Sequence, residues 1–254
     1  MTQLLITNFL RSKGLMIGLL LLFITGLVSL YIGKIFSEQQ ANIAAKTAHY
    51  QEENHRQHLD YEHGEIGLLL YYIRFGLANE TPNIAGLSIG HRDIHPSVQL
   101  VNIRNLEEQK HATELRNPLY QLLGNLDFSF VLIYLFPLII IAFCFNLLSE
   151  EKEGGTWTLV LSQSTQPRTI LRTKLWIRLA SILLVLFALL AIGKVYLAIP
   201  LNAAFFAFTL VAVLYVLFWF ALSWFITSLQ KSSSQNALSL LLVWVLLTIV
   251  LPAS

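Results

Sequence analysis

Cysteine is almost absent. Cys144 stands alone inside an apolar run, which excludes an intramolecular disulfide and any Cys-based metal motif. Charge is scarce too: Asp, Glu, Lys and Arg make up 13% of the residues, about half the share of a soluble domain. With a mean hydropathy of +0.61, the chain falls among integral membrane proteins. The net charge of +2 says little, because charges in such a chain are distributed by side of the membrane. No Gly-x-x-x-x-Gly-Lys-Ser/Thr phosphate loop occurs. The nearest Gly-rich piece, Gly86 to His91, lacks the Lys, so no ATP or other cofactor is expected to bind in that manner. Gly-x-Ser-x-Gly, His-Glu-x-x-His and paired intramembrane carboxylates are missing as well. Catalysis has no seat, and the chain is read as not an enzyme. No nucleic-acid partner is expected. The first apolar run is too long for a cleavable signal peptide and is followed by no small-residue site, so it is expected to remain as a span.

What the sequence does have is long apolar runs. Residues 14–36, 126–148, 175–199, 203–229 and 236–251 read as five spans, each near the ~20 residues that a bilayer needs. Residues 1–13 mix Leu4, Leu5, Phe9 and Leu10 with polar side chains, and read either as an amphipathic helix at the interface or as a frayed terminus. Arg11 and Lys13, just before the first span, place the N-terminus in the cytoplasm. Residues 37–125 hold all seven histidines and read as an extracytoplasmic domain: a polar helix at 41–65, loops and short strands at 79–102, and a returning helix at 106–123. Pro137 lies within the second span. It should kink that span and free a carbonyl one turn earlier, which neighbouring helices must then satisfy. In the third span Arg178 is read as snorkelling to the inner face of the membrane and Lys194 to the outer.

The stretch 149–174 between the second and third spans is charged and broken by Gly154 and Gly155. Lys152, Arg168, Arg172 and Lys174 put it on the cytoplasmic side. Within it, Trp157, Val160, Leu161 and Ser164 fall at helical spacing, Thr156 can cap a helix and Pro167 can close it. Such a stretch is either a solvated loop with one interfacial helix or a docking element for another protein.

Glu150, Glu151, Glu153, Gly155, Thr156, Leu159, Leu161, Pro167, Arg168 and Lys174 together resemble the cytoplasmic loop of ABC-2-type exporter permeases. Trp157 stands where that family more often has a smaller apolar residue. Ile89, Gly90, Asp93, Pro96 and Ser97, with Asn117, Pro118, Gly124 and Asp127, resemble the subgroup carrying a large extracytoplasmic insertion between the first two spans. The family pattern has one span more than the five read here. The resemblance implies an all-α polytopic membrane protein of the bacterial cytoplasmic (inner) membrane, a helical bundle with an α-rich or α+β insertion. It also implies a coupling helix at Thr156–Ser164 that docks on a separate ABC ATPase subunit, which binds the ATP. A second permease chain, identical or not, would complete the pathway in the lipid bilayer. A non-transporting sensor or scaffold with an outer ligand-binding domain is the competing expectation.

Two further sets of residues have open readings. His55, His58 and His63 are spaced to present imidazoles to a metal, or are simply tolerated on a polar helix. Asp127, at the outer edge of the second span, is either a functional intramembrane acid or a cap on that span.

Overall fold

The structure is a computed structural model that describes residues 2–61, 64–67, 71, 73, 75–78, 81–93, 98–101, 125–147, 149, 155, 167–229 and 231–253. The chain forms two compact units, Met1–Ser29 with Phe128–Ser254, and Leu30–Asp127.

The first unit is a bundle of helices. Helix α1 (Thr2–Arg11) is followed after Ser12 by α2 (Lys13–Tyr61), whose opening turns belong to this unit. Then come α3 (Phe128–Cys144), α4 (Pro167–Tyr196), α5 (Ala203–Ser228) and α6 (Ser233–Val250). Among the described residues, α2, α4, α5 and α6 are long and apolar enough to cross a membrane, whereas α3 is apolar but shorter. The bundle core is Leu22, Phe128, Val131, Phe136, Ile140, Ile182, Leu186, Leu189, Val216, Trp219 and Leu240, all buried. Outward, Leu20, Leu184, Val195, Phe206, Val211, Phe225 and Leu242 are exposed. Apolar side chains on both sides of every long helix are what lipid, rather than water, tolerates as a solvent. Two of the helix starts are set by local chemistry. Asn202 caps α5, its Oδ1 accepting from the Phe205 N–H at 3.1 Å. Ser232 and Gln235 form a reciprocal capping box that starts α6.

Helix α3 continues past Pro137. It opens into a π turn over Val131–Leu135, closed by the Phe136 N–H on the Val131 carbonyl. A proline cannot donate to the carbonyl four residues back, here that of Ile133. The Tyr215 hydroxyl of α5 donates to this carbonyl at 2.9 Å, so the backbone group freed by Pro137 is answered from a neighbouring helix. The same pairing of π turn and proline recurs in α6, where a π turn over Leu246–Val250 precedes Pro252. Because a carbonyl in an apolar surrounding needs a donor, Tyr215→Phe should lower the thermal stability of the detergent-solubilised chain by about 1 kcal/mol. An unchanged melting temperature would show that the Ile133 carbonyl finds another donor at no cost.

The second unit is built on the remainder of α2. Past its apolar turns the helix carries spaced ion pairs, Lys34–Glu38 at 3.5 Å and Arg56–Glu52 at 3.8 Å. These are exposed and contribute little, but they keep the helix soluble on its polar side. Strand β1 (Phe75–Ala78) pairs antiparallel with β2 (Val98–Val101), Phe75 opposite Val101 and Ala78 opposite Val98. The ribbon is fastened to α2 by the Gly76 N–H, which donates to Gln51 Oε1 at 3.1 Å, and by His55, edge-on to the Phe75 ring. A 3₁₀ turn at Asn83–Gly86 then brings Ala85, Leu87 and Ile89 into a small core with Leu30 and Ile73. Here α2 meets backbone rather than side chain. A Cβ on Gly33 would lie 1.9 Å from the Gly86 carbonyl oxygen.

Candidate functional site at the end of the second span

The apolar sequence of α3 continues to Leu148, yet the helix ends at Cys144 and residues 145–147 form a turn. The last carbonyls of a helix have no partner of their own. Here the turn itself serves Ile141 and Cys144, and two further carbonyls are supplied from other helices. Arg178 of α4 donates through Nη1 to the Phe143 carbonyl. Asn236 of α6 donates through Nδ2 to the Phe145 carbonyl at 3.4 Å and also to the Lys231 carbonyl at 3.3 Å. Beyond the turn, the Ser233 hydroxyl donates to the Ser149 hydroxyl oxygen at 2.7 Å. Ser149 and Asn236 are buried. The point at which the chain leaves α3 for the charged stretch is therefore held by polar contacts from both α4 and α6.

Arg178, read from the sequence as snorkelling to the inner face, has a bonded partner on a neighbouring helix. It turns into the bundle, half-buried, and caps a neighbour. Pro167 begins α4 rather than merely ending what precedes it. At that position its missing N–H is no loss, and α4 starts well before the apolar residues, with Arg168, Arg172 and Lys174 on its first turns. Lys174 lines a cleft with Arg178. Gly155 has a φ of +69°, a left-handed conformation that favours glycine. Glu150, Glu151, Glu153, Thr156, Trp157 and Leu161 lie outside the described residues.

Away from this place, Asp127 is buried and its Oδ2 accepts from the Ile89 N–H at 2.8 Å, within the second unit. It ties the Ile89 backbone to the last residue of the second unit. His55 and His58 are half-buried on α2, and His63 lies outside the described residues. Among the described residues, no three His, Cys, Asp or Glu side chains come together in a way that would hold a metal. Asn236, Tyr215 and Ser149 escaped the reading of the sequence. The signal for Tyr215 was present in the spacing, since Pro137 identifies the carbonyl needing a donor, but nothing in the sequence says which helix supplies it.

Compared with known proteins, residues 6–254 match the family described as ABC-2 family transporter protein. No curated protein and no solved structure matched the chain. The match runs through both units and every helix from α1 to α6, and it agrees with a bundle of apolar helices that lacks a phosphate loop. The chain therefore belongs to the ABC-2 transporter family, as a multi-pass membrane permease component of an ABC transporter.

Proposed function

We propose that the chain is the membrane subunit of an ABC exporter, driven by ATP hydrolysis in a separate subunit that docks on residues 149–174. It crosses the bacterial cytoplasmic membrane five times, with α3 as a short span, the N-terminus inside and residues 37–125 forming an extracytoplasmic insertion. A second permease chain completes the pathway. The observation that carries this reading is the fastening of the α3 end by Arg178 and Asn236. A push on the stretch that follows is passed at once to α3, α4 and α6 rather than absorbed by a loose connection. Glu150, Glu151, Glu153 and Arg168 orient the docking helix by ion pairs, and Gly155 sets its entry. Membership of a transporter family supports transport over a sensor or scaffold role.

The test is purification of the tagged chain in mild detergent. An ATP-hydrolysing subunit should be recovered at matched stoichiometry, and recovery should fall about tenfold in a Glu153→Leu, Gly155→Leu double variant that still inserts. Labelling gives the independent check. In a Cys144→Ala background, Trp157→Cys should react with an impermeant maleimide in inverted vesicles and not in intact cells. Reaction from the cell exterior, or purification without any ATPase, would sink the reading.

A further inference from the structure

Helix α5 carries Tyr215, Trp219 and Ser223 at intervals of one turn. Each step is about 6 Å of helical rise, and the three share one side of the helix. One of them is engaged across the bundle: the Tyr215 hydroxyl donates to the Ile133 carbonyl of α3 at 2.9 Å. Trp219 and Ser223 are buried more deeply, at 1% and 0% exposure, yet the indole N–H and the Ser223 hydroxyl meet no hydrogen-bond partner in the protein. The Trp219 ring stands edge-on to that of Tyr215, centroids 6.3 Å apart, and its N–H faces the Tyr215 hydroxyl without bonding it. A buried donor left in this way is costly. The acceptor is unusual as well. Pro137 cannot serve the Ile133 carbonyl, which must therefore take its donor from outside α3. Helices α3 and α5 run in the same direction, since Phe128 lies against Phe208 and Ile133 meets Tyr215. The step from Tyr215 to Trp219 thus points along α3 toward its fastened end.

We propose that Tyr215 and Trp219 are alternative donors to the Ile133 carbonyl. Helix α3 then has a second position along α5, displaced toward Trp219 by no more than one helical turn, in which the indole N–H takes over the bond. Packed helices shift between discrete arrangements rather than deform continuously, and steps of up to one turn are among the known ones. Each position leaves one of the two donors idle. An exchange between two states accounts for the idle indole, whereas a single rigid packing leaves it unexplained. The device concerns α3 and α5 alone and stands apart from the exporter reading.

The experiment is two-dimensional proton–nitrogen NMR of the full chain in nanodiscs, isotope-labelled at the indoles of its five tryptophans. Trp219→Phe assigns the Trp219 signal by removing it. In the wild type that signal should show relaxation dispersion on the microsecond-to-millisecond scale. Tyr215→Phe should move its proton downfield, as an indole N–H that has gained an acceptor requires. Pro137→Ala gives the Ile133 carbonyl an N–H within α3, and the dispersion at Trp219 should then vanish. In the Tyr215→Phe, Pro137→Ala double variant the proton should return upfield, because the carbonyl needs neither donor. Mere loss of the neighbouring hydroxyl would instead leave it where Tyr215→Phe put it. Absence of dispersion in the wild type, no downfield shift in Tyr215→Phe, or a double variant that keeps that shift would each overturn the proposal.

Discussion

Gly33→Leu should open the second unit. At this position α2 lies against the backbone of Gly86, and an added Cβ would be 1.9 Å from its carbonyl oxygen. No rotamer change relieves such a contact, because the obstructing atom is main chain. The 3₁₀ turn must move, and with it the buried Ala85, Leu87 and Ile89. Overpacking of this kind costs about 3 kcal/mol, which is a large part of the stability of so small a core. Hydrogen exchange at the amides of Leu87 and Ser88, which donate to the Ile84 and Ala85 carbonyls, should accelerate about a hundredfold. Gly64→Ala is the matched control, since a Cβ there meets nothing within 4 Å. Equal protection in Gly33→Leu and Gly64→Ala would mean that α2 and the turn are not in close contact.

The second large effect is expected at the end of α3. Arg178→Leu removes the donor to the Phe143 carbonyl, and Asn236→Leu removes the donor to the Phe145 carbonyl. Each leaves a helix-terminal carbonyl without that partner in an apolar setting, at a cost of about 1–3 kcal/mol. Their contacts lie two residues apart on one helix end, so the effects should not add independently. The double variant should insert and retain its other helices, yet bring cleavage by a protease added to inverted vesicles into residues 145–149. Under the proposed function, it should also keep its ATPase partner while losing transport-linked stimulation of hydrolysis. Resistance to the protease equal to the wild type would show that the two side chains do not hold this junction.

Helix positions were legible in the sequence because apolar length is a strong signal, and the polar continuation of α2 was legible because no Gly or Pro interrupts residues 34–61. Strands in 79–102 were expected from Gly, Pro and Asn content. The structure places β2 there and β1 just before it, at Phe75–Ala78. The fate of Pro137 was half legible. Its missing N–H foretold an unserved carbonyl, but a π turn and a tyrosine from another helix are tertiary events. The partner of Arg178 was illegible for the same reason. A cation a few residues into a span has two ways to be satisfied, outward to head groups or inward to a helix end, and only packing decides between them. Around the α3 end, Ser233 and Asn236, 84 and 91 residues downstream of the partners they hold, carry no local mark of that task.

The π turn at Val131–Leu135 has a bearing on where α3 points its side chains. One extra residue per turn rotates everything downstream by about 100° relative to an unbroken α-helix. Phe128 and Val131 upstream and Phe136, Ile140 and Phe143 downstream are all buried, so the inserted residue is what keeps two otherwise mismatched apolar stripes on the same inward side. Removing one residue from this turn would leave every contact upstream in register and swing Ser149 about a quarter-circle away from Ser233.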